Sequence, residues 1–304
     1  MINYRLRVFQ SVAELGTISR ASKVLNLSQP AISKHIKLLE EELRVPLFIR
    51  SANGMVPTHA GETFLRHVQQ VAKAHENIAQ YLQAPTDTLS GKLCLGVSKT
   101  IFGYYVPEIL SEFKKRHPAV VCEIVEGNSD VIVGAMLERR IDLGLIEGPC
   151  GRPDMQTRPF FDDEVIWLAS SSDVMAKKQS VNPEELLKRP LIVREIGCGT
   201  RRYMDIALRK QHFSLKRKHI VQELISIEAI KRVIASGLGI GYLSRLSVEQ
   251  ELASGRLVQI HCPALTIRRP FFILSPQGPD PLGVAHTFIQ ILLEKSVPSA
   301  SLPN

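Results

Sequence analysis

Thr17-Ile18-Ser19-Arg20-Ala21-Ser22-Lys23-Val24-Leu25-Asn26-Leu27-Ser28-Gln29-Pro30-Ala31-Ile32-Ser33-Lys34-His35-Ile36 is the stretch on which the fold of this chain turns. Ser19 can cap a short helix carrying Ala21, Val24 and Leu25, and Asn26 can take the left-handed conformation that ends it. Ser28 can cap a second helix, with Pro30 tolerated in its first turn because those amides lack helical partners. There Ile32, Ile36, Leu39 and Leu43 form an apolar stripe, and Gln29, Ser33, Lys34 and Lys37 lie off it. Two short helices joined by a tight turn, the second polar and basic on its outer face, describe a helix-turn-helix. Gln and Ser can bond base edges in a major groove, and Lys can bond bases or phosphates. Periodicity alone leaves a plain three-helix bundle with a solvated face equally open.

Upstream, Leu6, Phe9, Val12 and Ala13 recur at helical spacing until Gly16. Downstream, Pro46-Leu47-Phe48-Ile49-Arg50, a turn at Asn53-Gly54 and Met55-Val56-Pro57 read as a small hairpin, or wing. Arg50 sits where a wing reaches a minor groove or a phosphate. Thr58 can cap a further helix.

These residues carry a resemblance. Ala21-Ser22, Leu25, Leu27-Ser28-Gln29-Pro30-Ala31-Ile32-Ser33, Ile36, Leu39-Glu40-Glu41-Glu42-Leu43, Leu47-Phe48, Arg50, Thr58 and Ala60-Gly61 resemble the DNA-binding domain of LysR-type transcriptional regulators. The resemblance implies an α/β protein with an N-terminal winged helix-turn-helix and a long linker helix. A two-lobed effector domain, like a periplasmic binding protein, would follow. The implied DNA contacts are Ser28, Gln29, Pro30, Ser33, Lys34, Lys37 and Arg50, on a pseudo-palindromic double-stranded operator.

Phe64, Val68, Val71, His75, Ile78 and Leu82 alternate spacings of four and three, a heptad-like seam, with Ala72 and Ala79 beside it. His75 reads as a tolerated polar residue rather than a pH switch. Pro85 and the polar run to Gly91 read as a hinge. A single amphipathic helix packed on its own domain fits the same pattern. The resemblance implies instead a dimerising linker, in an assembly that is a dimer or tetramer. RNA polymerase is a further candidate partner.

From Lys92 onward apolar runs alternate with helical patterns, which argues a parallel or mixed α/β sheet. Strands are expected at Leu93–Val97, Val120–Val125, Leu143–Ile146, Val165–Ala169, Leu191–Val193, Ile220–Val221, Ile240–Leu243, Val258–Ile260 and Phe271–Leu274. Residues 1–60 are thus a DNA-binding domain, 61–90 a linker and hinge, and 91–304 an effector domain. The resemblance implies lobe crossings near Phe160–Asp163 and Pro263–Arg268. The first lobe is then 91–161 with 267–304, and the second 162–266.

Ligands of open α/β sheets sit beyond the carboxyl ends of the strands. The loops there are Ser98-Lys99-Thr100, Glu147-Gly148-Pro149, Gly197-Cys198-Gly199-Thr200-Arg201 and Ser226-Ile227-Glu228. Hydroxyls, glycines and free amides at helix starts favour an anion, and Lys99 and Arg201 would add positive charge. Each loop singly is equally an ordinary helix cap. Together, Ser98, Lys99, Thr100, Glu147, Gly148, Gly199, Thr200, Arg201 and Ser226 are the candidate effector contacts.

The segments Ser98-Lys99-Thr100-Ile101, Asp142 to Gly148, Arg194-Glu195 with Gly199-Thr200-Arg201, and Glu228 to Lys231 with Gly237 to Ile240 resemble the CysL/YeiE-like branch of the family. That branch is tied to sulfur assimilation and sulfite, which implies a sulfur oxyanion or a small carboxylate as effector. Lys99 and Cys198 stand where the branch has small residues. No cofactor is expected.

The chain's 304 residues are 44% hydrophobic and 22% charged, with room for two or three domains. A net charge of +8 and a pI near 9.3 suit nucleic acid, an anionic membrane surface or an acidic ligand. No run reaches a bilayer-spanning length and the start lacks a signal pattern, so a cytoplasmic protein with no membrane partner is expected. Cys94, Cys122, Cys150, Cys198 and Cys262 are scattered and read as reduced thiols, with no metal spacing. Nucleophile-elbow, P-loop and dinucleotide motifs are missing, so an enzyme is not expected. A redox sensor is the alternative: Cys198 lies near Arg201 and a helix start, a setting that lowers a thiol pKa. A ligand-binding module without DNA binding is the third reading.

Overall fold

The computed structural model describes residues 4–51, 54–83 and 89–296; the side chains of residues 70 and 73–83 lie outside that description. Two compact units divide near residue 87.

The first unit runs α1 (Tyr4–Leu15), α2 (Ile18–Leu25), α3 (Gln29–Leu43), β1 (Phe48–Ser51), β2 (Gly54–Pro57) and α4 (His59–Gln83). Thr17, not Ser19, caps α2: its hydroxyl accepts from the Arg20 amide at 3.3 Å. Asn26 ends α2 at φ 53°, and Ser28 caps α3 by accepting from Ala31 N at 3.3 Å. Val8, Phe9, Val12, Ala21, Ile32, Ile36, Leu39, Leu47, Phe48 and Val68 form one core. Leu43 is not in it. It lies in the last turn of α3, where the chain leaves through Arg44 at φ 55°, and is exposed. Val24 also faces solvent.

Two contacts fix the wing. Glu40 Oε1 accepts the amides of Leu47 and Phe48 at 2.7 and 3.1 Å, tying β1 to α3. Met55 N donates to Gly16 O at 2.8 Å, and a Cβ at Gly54 would stand 2.3 Å from that oxygen. Gly54 also has φ +127°, so a side chain is barred there twice over. Thr58 caps α4 by accepting from Gly61 N at 3.0 Å. Of the proposed seam, Val68 is buried, Phe64 half-buried and Val71 exposed. His75, Ile78, Leu82 and Ala79 are helical, but their side chains lie outside the described residues, as do Asn53 and Pro85.

The second unit begins with β3 (Gly91–Ser98), α5 (Lys99–Tyr104), α6 (Val106–Arg116), β4 (Val120–Gly127), α7 (Ser129–Leu137) and β5 (Leu143–Ile146). It continues through β6 (Met155–Ser170), α8 (Pro183–Leu187), β7 (Leu191–Arg194), α9 (Gly199–Lys210), β8 (Ile220–Leu224) and α10 (Ile227–Ala235). β9 (Ile240–Ser244), α11 (Glu249–Ala253), β10 (Leu257–Ile260), β11 (Ile267–Pro276) and α12 (Val284–Ser296) complete it. The strand order is β4-β3-β5-β11-β6-β9-β7-β8, with β10 also on β6. β3 is parallel to β4 and β5, and β7 to β8 and β9; β6 and β11 are antiparallel to each other.

This makes a two-lobed α/β domain. One lobe is cored by Leu95, Phe113, Phe271 and Phe288, the other by Trp167, Val193, Met204 and Tyr242. β6 and β11 carry the chain between lobes as a hydrogen-bonded pair, from Ile267↔Val165 to Pro276↔Met155. The strand expected at Val165–Ala169 therefore begins ten residues earlier, at Met155. Pro159 is accommodated by a register shift between Phe271 and Phe272, where the ladder skips Phe160.

Candidate functional site

In the first unit the candidate DNA contacts gather on the amino-terminal half of α3. Gln29, Pro30, Lys34 and Lys37 are exposed and Ser33 is half-buried, opposite the buried Ile32, Ile36 and Leu39. The spacing of 29, 33 and 37, with 30 and 34, makes one ridge along the helix. Lys37 pairs loosely with Glu41 at 3.7 Å, an exposed contact easily exchanged for a phosphate. The Ser28 oxygen is taken by its cap. Arg50 is exposed on β1, opposite Met55.

In the second unit a single side chain organises the space between the lobes. Glu147, directly after β5, is 2% exposed. Its Oε1 accepts from Ser98 Oγ at 3.0 Å. Its Oε2 accepts from Thr200 N at 3.1 Å, Thr200 Oγ1 at 2.9 Å and Arg269 Nη1 at 2.6 Å. Ser98 comes from one lobe and Thr200, in the first turn of α9, from the other. Ser129 Oγ accepts the Glu147 amide at 3.3 Å. Burial alone would raise the Glu147 pKa. The Arg269 and Arg194 charges, with the Thr100 and Thr200 hydroxyls, more than reverse this and hold it at about 2.

Around that carboxylate lies a buried charge network. Arg269, wholly buried, donates from Nε to Asp163 Oδ2 at 2.9 Å, and Ser244 Oγ donates to Asp163 Oδ1 at 2.7 Å. Burial pushes the Asp163 carboxyl up against the pull of Arg269. Arg194, also buried, forks onto Glu195 through Nε and Nη2 at 2.8 and 3.1 Å. Its Nη1 has no hydrogen-bond partner among the described residues.

The candidate effector residues divide. Ser98, Thr100, Glu147, Gly199 and Thr200 converge. A Cβ on Gly199 would stand 2.3 Å from Glu147 O, so this close approach requires glycine. Gly148, at φ +130°, packs against Tyr203. Among the described residues, no hydrogen bond or ion pair joins half-buried Lys99 to Glu147. Arg201 does not supply the site's charge as expected. Its Nη1 donates to Arg194 O at 2.9 Å and it pairs with Asp205 at 3.5 Å and Glu223 at 3.9 Å, all in its own lobe, while its Nε has no hydrogen-bond partner among the described residues. Ser226 is exposed and serves as an ordinary cap, accepting from Ala229 N at 3.3 Å. The sequence reading missed Arg269, Asp163 and Arg194. An Arg-Arg-Pro run inside a strand pattern was the available signal for Arg269.

Further contacts join the lobes. Arg202 pairs with Asp130 at 2.6 Å, and Tyr104 OH donates to Glu228 Oε1 at 2.6 Å. Lys231, buried, lies 5.3 Å over the Tyr104 ring and pairs with Glu228 and Glu251 at 2.6 and 3.1 Å. The redox alternative loses its premise here. Cys198 is 1% exposed, and burial, reinforced by the Glu147 charge, pushes its thiol up rather than down. No helix among the described residues is long and apolar enough to cross a membrane.

Comparison with known proteins agrees with both units. Residues 4–62 match the bacterial regulatory helix-turn-helix protein, lysR family, and residues 86–296 match the LysR substrate binding domain. CbbR of Sinorhizobium medicae is 31% identical, over 89% of this chain and 86% of its own. YeiE of Escherichia coli is also 31% identical, over 87% of this chain and 88% of its own. The regulatory domain of Synechocystis CcmR, solved in complex with 2-PG, superposes with a TM-score of 0.64 at 26% identity, covering 69% of this chain and 99% of that domain. These relatives are transcriptional regulators, not enzymes. The chain belongs to the LysR family of helix-turn-helix transcriptional regulators.

Proposed function

We propose that this regulator binds a pseudo-palindromic operator through the exposed ridge of α3, and that a small anion held between the two lobes of its effector domain controls that binding. Gln29, Ser33 and Lys34 face base edges in the major groove, and Lys37 and Arg50 take phosphates. Ser28 and Pro30 set the start of the helix. The chain acts in the cytoplasm as a dimer joined through α4, assembling further to a tetramer, with RNA polymerase as its partner at the promoter.

The observation that carries the effector reading is the donor set around Glu147. An amide in the first turn of the twelve-residue helix α9, two hydroxyls and a guanidinium all address one carboxylate. Such a set suits a small carboxylate or a sulfur oxyanion. The CcmR regulatory domain in complex with 2-PG supports a small-molecule effector. The test is titration of the chain onto DNA flanking its gene at two salt concentrations, with sulfite, sulfate and acetate added in turn. Affinity should fall steeply with salt and change with one of the anions. Affinity indifferent to salt, or to all three anions, would remove the corresponding half of the reading.

A further inference from the structure

We propose that Glu147 is a tethered occupant of the effector site, a built-in anion that holds the lobes together without free effector and that the effector must displace. The proposal deepens the reading of the interlobe site given above and rests on it. Four donors close on this one carboxylate: Ser98 Oγ from one lobe, Thr200 N and Thr200 Oγ1 from the other, and Arg269 Nη1 from β11, which joins them. None of them is left for a second anion while Glu147 stays. The backbone is shaped to the same end, because α9 reaches Glu147 only over the missing side chain of Gly199.

A second cation acts on the same carboxylate, since the Arg194 charge helps to hold the Glu147 pKa down. Arg194 is 1% exposed, yet its Nη1 finds no partner among the described residues. A buried guanidinium N–H without an acceptor costs free energy. An incoming oxyanion with more acceptor oxygens than Glu147 can engage it, and this gives the effector an advantage over the tethered group. Glu147, for its part, competes at an effective concentration on the order of millimolar or above, as groups on a short tether do. Weak monocarboxylates such as acetate would then fail against the wild-type chain, and only an anion that also reaches Arg194 would exchange with Glu147.

The test is chemical rescue on the full chain. Thermal unfolding of the wild type, Glu147→Ala and Glu147→Gln is followed with sodium acetate, sodium sulfate or sodium chloride at matched ionic strength. Glu147→Ala, which leaves a carboxylate-sized hole, should unfold earlier and recover saturably with acetate or sulfate at concentrations about tenfold or more below any effect on the wild type. Glu147→Gln, whose amide fills the hole, should show no such recovery. A Glu147→Ala protein that is recovered folded only from acetate or sulfate would support the proposal equally. Equal responses of the wild type and Glu147→Ala to an anion would overturn the competition while leaving an anion site in place. A Glu147→Ala protein that responds to no anion beyond chloride, beside a folded Glu147→Gln, would overturn the proposal. If the wild type too is then indifferent, the anionic reading of the site falls with it.

Discussion

Arg269 Nη1 lies 2.6 Å from Glu147 Oε2, and both side chains are buried. The same guanidinium stands 2.8 Å from Asp163. One cation on β11 therefore gathers a carboxylate from the end of β5 and another from β6, while the Thr200 hydroxyl of α9 donates to the first and accepts from the cation. Removing one partner of a buried network leaves uncompensated charge, which costs more than the network itself contributes.

Arg269→Met should accordingly destabilise the effector unit by about 3–5 kcal/mol, because it strands two buried carboxylates. Urea unfolding of the full chain, read with a probe for the second unit, measures this. A loss well under 1 kcal/mol would mean the network is solvated.

The acid limb of stability should carry the signature of Glu147. Its pKa is depressed in the folded chain, from 4.5 to about 2. Its contribution is therefore present above pH 4.5 and is lost as pH falls toward 2. The stability gap between wild type and Glu147→Gln should be flat above about pH 5.5 and shrink below pH 4.5, by on the order of 3 kcal/mol in total. A gap independent of pH down to 3 would contradict the ion pair.

Gly199→Ala places a Cβ 2.3 Å from a backbone oxygen, which cannot move as a side-chain tip can. The start of α9 should be pushed from Glu147, lowering the unfolding temperature and giving an anion response like that of Glu147→Ala. Wild-type behaviour in both would show that the lobes do not close this tightly in solution.

Cys198→Ser should leave operator binding and its regulation unchanged, and peroxide should not alter the wild-type chain's DNA affinity, because the thiol is buried and held protonated. Peroxide-sensitive operator binding lost in Cys198→Ser would restore a redox role.

Local signals made the first unit legible: caps at Ser28 and Thr58, the left-handed Asn26 and the stripe Ile32, Ile36, Leu39 act within a turn or two. They erred at Ser19 against Thr17, because both hydroxyls lie within one turn of the helix start. The first half of β6 was hidden because Phe160–Asp163 read as a crossing and Arg158-Pro159 breaks the apolar pattern before it; this stretch pairs with β11, more than a hundred residues away. Four loop residues that converge, Ser98, Thr100, Gly199 and Thr200, were named from local signals, but their common contact with Glu147 was not. Nothing near Glu147 in sequence signals that its carboxylate fills the site it was expected to line. Arg201 misled for the converse reason, since Asp205 and Glu223 claim its charge.

Control of DNA binding from the interlobe site is measured by operator affinity, from fluorescence anisotropy, for the wild type, Gln29→Ala with Lys34→Ala, and Glu147→Ala. Steep salt dependence is expected, with near-complete loss of specific binding in the α3 variant and an affinity in Glu147→Ala that differs from wild type and returns toward it with acetate or sulfate. Glu147→Ala binding that matches the wild type at every anion concentration would contradict control of DNA binding from the interlobe site.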